Sequence, residues 1–438
     1  MPFRRTRPAA EPHPGAAPAT PIGSEPATPV AAGEPGPGAG GLVGVTVAGW
    51  LGNALSYLLL LAAARRLGTA DYAELVTLLN LLLIGSVPSF ALQAVAARRV
   101  ATGAADGLLA AGSAVGLAAA GLIAALSPAL VAFLHLPGPA GPLLVALSMP
   151  GTALQGLCQG VWQGEQRLTG LAVATFAGTA GRSGAGLAGL LIGGTSTAAV
   201  AALAVGLTLP AAGCVLALPE LSRRSGHRRA LLPVVTEAGH ASHAYGVFLL
   251  LSVSDVLLAR HVLSTPAAAL YAAGSVLTKA SLWLPQSMAN VLFASLTDTD
   301  RHHRVFGRAV AGLAALGAAL VAGSWLLGGF VAGVVGGGSY PQLRADAWLF
   351  ALLGSCLAVL QFTLVAGLAV RNVVVTALIW AAVAGEVLLA LSLPEHPSVR
   401  LVVALMAGLN LAIAAAAVLL RLAPRHRPSP GLPESTTG

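Results

Sequence analysis

Charged residues are scarce in this chain of 438 residues. Asp, Glu, Lys and Arg make up 9% of it, and hydrophobic residues make up 56%. Soluble domains carry roughly 25% charged residues, and a single soluble core stops growing at about 250–300 residues. A water-soluble fold would expose a large apolar surface, so the composition excludes one and predicts an integral membrane protein.

Cysteine and catalytic motifs are also scarce. Cys158, Cys214 and Cys356 lie in separate apolar runs, which excludes a disulfide framework or a paired-cysteine metal site. Neither a phosphate-binding glycine loop followed by Lys-Ser or Lys-Thr nor a His-Glu-x-x-His pair occurs. We therefore expect no enzymatic activity, no cofactor and no metal site. The excess positive charge lies in short loops, so nucleic acid is not an expected partner.

What the chain has instead is about twelve apolar runs, each long enough to cross roughly 30 Å of hydrocarbon as an α-helix. The first six runs are 42–64, 75–95, 108–134, 140–161, 171–193 and 197–218. The second six are 241–260, 267–294, 309–335, 342–370, 372–392 and 400–421. The expected organisation is a disordered tail (1–40), a first lobe (41–218), a basic linker (219–240), a second lobe (241–421) and a C-terminal tail (422–438).

The basic residues predict the orientation in the membrane. Seventeen Arg side chains lie in segments on the side of the N-terminus, and five lie on the other side: Arg65, Arg66, Arg260, Arg344 and Arg400. Basic residues are enriched in cytoplasmic loops. We therefore expect a multi-pass protein of the cytoplasmic membrane with both termini in the cytoplasm.

The two sets of six runs resemble each other where their first helices end. Ala64-Arg65 is followed by Leu67, Thr69 and Tyr72, and Ala259-Arg260 is followed by Leu263, Thr265 and Tyr271. Six helices per set keep both sets in the same orientation. The pattern predicts a parallel internal repeat, an arrangement that many transporters use to form a substrate site between two halves.

A few charged and amide side chains lie within the apolar runs, where an unpaired charge costs a few kcal/mol. Thr175, Thr179 and Arg182 share one helical face, and Ser275 shares a face with Lys279. Such faces predict a polar cavity for substrate, lined by Arg182, Lys279, Asn53, Gln155, Gln159, Gln286 and Asn290.

Asp255 and Glu386 also lie within apolar runs, and two interpretations of them stay open. They can pair with Arg182 and Lys279 as a purely structural arrangement. Alternatively, they can carry a proton between the two sides of the membrane and couple transport to an ion gradient. The glutamines have a structural alternative too, because amides hold membrane helices together.

The chain resembles the bacterial polysaccharide-biosynthesis flippases, which belong to the multidrug/oligosaccharidyl-lipid/polysaccharide exporter superfamily. In the first half, the resemblance is carried by residues 53–57, 64–68, Tyr72, Pro88 and Ala97-Arg98. In the second half, it is carried by residues 255–260, Tyr271, 277–279 and 285–286. It extends in order over 41–300, and we find no matching motif in the remaining C-terminal part.

The resemblance implies two six-helix lobes around a central cavity, an all-α fold of the MATE and flippase type. It also implies that a polyprenyl-diphosphate-linked oligosaccharide or polysaccharide precursor is moved outward by alternating access, with Arg182 and Lys279 on the diphosphate and sugar. Lipid-linked peptidoglycan flippases have more strongly cationic cavities and two extra helices, which weakens the peptidoglycan interpretation. The expected partners are the lipid-linked glycan, membrane lipids, and glycan polymerases or glycosyltransferases of the same pathway.

Other functions fit the sequence less well. An ion-coupled multidrug or small-solute antiporter of the same fold is the main alternative. A membrane glycosyltransferase needs a large extramembrane catalytic loop, and the longest loop here has about 22 residues, from 219 to 240. A major-facilitator transporter is disfavoured because the loop after the second run, Arg98 to Gly103, lacks that family's acidic and basic cluster.

Overall fold

The computed structural model describes residues 39–219, 231–283, 302–336, 339–369, 373–395 and 397–422, and within these ranges all regular structure is helical. The first half forms α1 (Ala39–Arg66), α2 (Thr69–Gly85), α3 (Val87–Ala101), α4 (Leu108–Phe133), α5 (Ala140–Gly164), α6 (Leu168–Gly193) and α7 (Ser196–Leu216). The second half forms α8 (Leu231–Val262), α9 (Thr265–Trp283), α10 (His302–Leu326), α11 (Gly328–Gly336), α12 (Leu343–Ala369), α13 (Val373–Ser392) and α14 (Val399–Leu422).

The helices form a membrane protein with two six-helix sets around a central cavity, which confirms the predicted fold class. Nine segments of the described ranges are long and apolar enough to cross a membrane, and one of them joins α2 and α3. The other three long helices are α6, α8 and α9, and each carries an intramembrane charge: Arg182, Asp255 or Lys279. Short α11 does not cross.

The outer surface is apolar, as contact with lipid requires. Ile192 is 89% exposed, Leu216 is 80% exposed and Phe330 is 70% exposed. Contiguous apolar surface on a soluble monomer rarely exceeds a few hundred Å². Exposed side chains of this kind occur on helices of both halves, so the hydrophobic excess of the sequence faces lipid as well as the interior.

Two predicted runs are interrupted in the structure. The second run becomes α2 and α3 with a break at Ser86, and Pro88 occupies the first turn of α3, where a missing N–H costs nothing. The ninth run becomes α10 and α11. At Gly328 an added Cβ would lie 2.3 Å from the carbonyl oxygen of Arg344, so the break also lets the chain pass close to α12.

The expected tails and linker fall largely outside the described residues. Of 1–40, only Ala39 and Gly40 are described, as the start of α1, and of 422–438 only Leu422. The linker prediction differs from the structure at 231–240, which belongs to α8. Val234 and Ala238 are buried in one cluster with residues of α3 and α5, so apolar contact with the first half extends this helix beyond its membrane-spanning run.

Glycines set the closest helix contact in the first half. A Cβ added at Gly206 of α7 would lie 2.1 Å from the carbonyl oxygen of Gly181 on α6. Small residues let membrane helices approach closely, and here they bring backbone against backbone. Because α6 carries Arg182, this contact also fixes one wall of the site described below.

We predict that Gly206→Ala lowers the free energy of unfolding by about 1–3 kcal/mol, because the new methyl group clashes with backbone atoms that cannot shift without strain. The control is Gly213→Ala on the same helix, where nothing lies within 4 Å of an added Cβ. It should be neutral or slightly stabilising, since Ala has the higher helix propensity. Thermal unfolding in detergent, followed by intrinsic fluorescence, compares them; equal stability of both variants contradicts the close contact.

Candidate functional site

A cavity of about 380 Å³ lies between the two halves of the fold. Its walls come from α1, α2, α6 and α7 of the first half and from α9 of the second, with Phe90 of α3 at its edge. The lining contains polar side chains from four of these helices: Asn53, Ser56, Tyr57, Asn80, Thr179, Arg182, Ser183, Ser275 and Lys279. Both intramembrane cations predicted from the sequence therefore face one shared space.

Arg182 is held in the cavity wall by hydroxyl groups. Its Nη2 donates a hydrogen bond of 3.2 Å to Ser56 Oγ, and Ser56 Oγ lies 2.7 Å from Ser183 Oγ. Among the described residues, no carboxylate lies within ion-pair distance of this guanidinium. Its charge is therefore available to a ligand in the cavity.

A close contact between α1 and α6 positions this serine. A Cβ added at Gly52 would lie 2.3 Å from Thr179 Oγ1, so only glycine lets the two helices meet there. Ser56 follows one turn later on α1 and faces Arg182. Gly52 therefore lets α1 and α6 pack closely next to Arg182.

Lys279 approaches the cavity from the opposite half. Its ammonium group donates a hydrogen bond to the backbone carbonyl oxygen of Ser252. It interacts electrostatically with Asp255 and Glu386, but among the described residues it forms no contact ion pair. Lys279 thus lies between the cavity and the carboxylates.

The two carboxylates belong to a buried network in the second half. Glu386 is fully buried and Asp255 is 1% exposed. Glu386 accepts hydrogen bonds from Asn410 Nδ2 at 2.7 Å and from the Ser254 hydroxyl, and Asp255 Oδ2 accepts one from Tyr271 at 3.2 Å.

Two oxygens of this network have no hydrogen-bond partner among the described residues: Asp255 Oδ1 and Asn410 Oδ1. An unsatisfied buried acceptor is costly; the carboxylate oxygen of Asp255 can bind a cation or a proton, and the amide oxygen of Asn410 can coordinate a cation. Asn410 was not singled out from the sequence, although an amide within the last apolar run was a usable signal. The hydroxyls Ser56 and Ser183 were missed as well, although Ser56 lies beside Asn53 and Tyr57 on the first run.

The predicted glutamines lie elsewhere or are not described. Gln155 Nε2 donates to the carbonyl oxygen of Ala174 at 2.7 Å, so this amide joins α5 to α6 within the first half. Gln159 lies one turn further along α5, and neither residue lines the cavity. Gln286 and Asn290 lie outside the described residues.

Arginines at corresponding positions connect the two halves at one end of the helices. Arg65, at the end of α1, donates to the carbonyl oxygen of Val334 in α11 at 2.7 Å. Arg260, near the end of α8, donates to the carbonyl oxygens of Leu134 and His135 after α4, both at 3.0 Å. Carbonyls at helix C-termini lack helical partners, and a cation suits them. Each half thus caps a helix of the other.

The opposite end is joined by ion pairs. Glu237 of α8 pairs with Arg98 and with Arg99 of α3, the second at 2.7 Å between Nε and Oε2. The cavity therefore lies between two sets of contacts that connect the halves at opposite ends. Wider access from either end requires the contacts at that end to separate.

No family model matches this chain, and no curated protein matches its sequence. Among solved structures, it resembles an inward-facing multidrug resistance MATE family transporter of the MOP superfamily, with a TM-score of 0.65, 14% identity, and coverage of 87% of this chain and 98% of that one.

Two further structures are similar. The lipid II flippase MurJ in an inward closed conformation gives a TM-score of 0.73 at 9% identity, covering 87% of each chain. The eukaryotic MATE transporter AtDTX14 gives 0.58 at 12% identity, covering 87% of this chain and 94% of that one. At these identities the likeness establishes the fold, which these transporters and this chain share.

We predict that the double variant Arg65→Ala/Arg260→Ala exposes the cavity. A hydrogen bond to a charged group contributes about 1.5–3 kcal/mol, so its loss should shift the balance towards the open form about tenfold or more. The measurement is the rate at which a cysteine introduced by Ser275→Cys reacts with a polar maleimide; the native cysteines are buried. Arg66→Ala, at the residue next to Arg65, is the control. An unchanged rate in the double variant contradicts a role for the Arg65 and Arg260 contacts in limiting access to the cavity.

Proposed function

We propose that this protein is an alternating-access flippase or exporter. It moves a lipid-linked oligosaccharide or polysaccharide precursor, carried on polyprenyl diphosphate, across the cytoplasmic membrane, and both of its termini lie in the cytoplasm. Glycan polymerases or glycosyltransferases of the same pathway are its proposed partners.

The observation that carries the proposal is the charge of the cavity. Arg182 and Lys279 both line it, and the described lining residues include no carboxylate. Arg binds phosphate oxygens in a bidentate manner, and asparagine and serine side chains suit sugar hydroxyls. A phosphate-linked glycan would occupy such a space with its anionic group against Arg182.

The fold supports a transport cycle for this substrate. The halves pack against each other through apolar side chains, polar contacts join them at each end, and the cavity lies between them. A cavity that opens at alternate ends moves its contents across the bilayer. The likeness to a lipid II flippase and to MATE transporters is consistent with such a cycle. It does not identify the substrate, which we infer from the chemistry of the cavity.

The buried carboxylates support ion coupling as part of the proposal. Asp255 and Glu386 lie close enough to interact, and a cation held between them would relieve their mutual repulsion. The free oxygens Asp255 Oδ1 and Asn410 Oδ1 would complete its environment. We assign the pair to binding the coupling ion.

A multidrug or small-solute antiporter is the second candidate. It is favoured by the 98% of a MATE transporter chain that aligns with this one. A cavity with two cations disfavours cationic drugs, so this candidate is restricted to neutral or anionic solutes. Lipid-linked glycan translocation separates the two candidates, because the antiporter would not perform it.

The direct test is translocation of a fluorescent polyprenyl-diphosphate oligosaccharide in reconstituted vesicles. Arg182→Gln should reduce the rate about tenfold or more, because losing one charge-assisted hydrogen bond to phosphate costs about 1.5 kcal/mol or more; Lys279→Gln should also reduce it. Arg167→Gln, at the exposed start of α6, is the matched control. Wild-type rates in both cavity variants would remove Arg182 and Lys279 from the substrate site.

A second test concerns the ion. Glu386→Gln keeps the shape and one acceptor oxygen for Asn410; its amide nitrogen can donate to the Ser254 hydroxyl, which can itself donate to the carbonyl oxygen of Leu251. The charge is removed, so translocation should lose its dependence on an imposed Na⁺ or proton gradient. Glu165→Gln, near the exposed end of α5, should keep that dependence. The measurement is the initial rate with and without each gradient; gradient-dependent transport by the Glu386 variant would exclude this carboxylate from coupling.

A further inference from the structure

Lys279 is the one described side chain that belongs to both charged regions. It lines the cavity together with Arg182, and it interacts electrostatically with Asp255 and Glu386. Its hydrogen bond goes to a backbone carbonyl, that of Ser252. A lysine held by a neutral acceptor can swing on its flexible stem without first breaking an ion pair.

The charges around Lys279 balance only in part. With both carboxylates ionised, Asp255, Glu386 and Lys279 leave one net negative charge in a buried network. One monovalent cation, either a proton on a carboxylate or a bound Na⁺, brings the network to neutrality. Tyr271, hydrogen-bonded to Asp255, is the other ionisable side chain facing the pair, and Arg182 lies across the cavity.

An anion in the cavity changes this balance. Its charge attracts the ammonium group of Lys279 towards Arg182, where both cations can bind the same group. The carboxylates then keep two negative charges without their nearest cation, and their affinity for a monovalent cation rises. In the reverse order, a cation at the carboxylates weakens their hold on Lys279 and makes it available to the anion.

We propose that Lys279 couples the two sites, so that an anionic group in the cavity and a monovalent cation at Asp255 and Glu386 strengthen each other's binding. Coupling between two sites is reciprocal, and it commonly amounts to about 5-fold or more in affinity. This inference rests on the proposed function, since it takes the cavity as the site of an anionic substrate. It adds the sign of the coupling: the ion and the substrate strengthen each other's binding rather than compete.

The experiment measures binding of farnesyl diphosphate, a short polyprenyl diphosphate, to the full-length protein in nanodiscs. Affinity is determined at low and high Na⁺ with constant ionic strength, and separately at acidic and neutral pH, so that the two arms distinguish Na⁺ from the proton. Wild type should bind about 5-fold tighter or more in the presence of the effective cation.

Three variants separate coupling from simple binding. Lys279→Gln should bind more weakly and lose the cation dependence, whereas Lys279→Arg, which keeps the charge, should retain part of it. Arg182→Gln should bind more weakly but keep the cation dependence, because its Lys279 is intact. The thermal stabilisation of Lys279→Gln by the same cation should persist, which demonstrates a folded protein with an intact carboxylate pair.

The outcomes distinguish this inference from the proposed function. Equal cation dependence in wild type and Lys279→Gln, or weaker anion binding at high cation in wild type, overturns the coupling and leaves the anion site standing. No cation dependence in wild type in either arm also overturns it. Failure of wild type to bind farnesyl diphosphate under any condition overturns the proposed function itself.

Discussion

The constraint on which this structure depends is that hydrocarbon offers no partner to a polar group. Backbone N–H and C=O groups must be satisfied inside each helix, and charged side chains must face the protein interior or water. The first requirement makes every described regular element a helix. The second brings Arg182, Lys279, Asp255 and Glu386 inward from four different helices, so the site follows from the same rule as the fold.

The two halves meet the second requirement in different ways. In the first half, the Ser56 hydroxyl, paired with that of Ser183, holds Arg182, and no described carboxylate lies within ion-pair distance. The helices α1 and α6 approach closely because Gly52 faces Thr179. In the second half, an amide and hydroxyls hold two carboxylates in a fully buried network. The cavity thus carries positive charge on one side, and negative charge lies behind its other wall.

The fold was predictable because its signal is long and repeated. Apolar runs of about 20 residues identify crossings one by one, and the structure follows most of them to within a few residues. The breaks at Ser86 and Leu327 were not predicted, because an apolar run is equally compatible with a continuous helix. The early start of α8 was not predicted either. Residues 231–240 are stabilised by contact with α3 and α5, and the sequence of one segment alone does not indicate such a contact.

The site was predictable only where a charge lies in hydrocarbon. Arg182 and Lys279 stand out because each is costly unless it faces a polar space, and both line the cavity. Gln155 does not line the cavity, because its neutral amide is satisfied by the carbonyl oxygen of Ala174.

The same distinction explains the place of Lys279 between the halves. A charge that finds a contact partner becomes structural, and a charge without any partner is too costly to bury. A buried lysine that donates to a backbone carbonyl oxygen and lies near two carboxylates is stabilised by both. It can still change its hydrogen-bond partner, because it forms no contact ion pair among the described residues. The coupling proposed above between the cavity and the carboxylates needs a group of this intermediate kind, and in the described part of this chain the position between them is occupied by its single lysine.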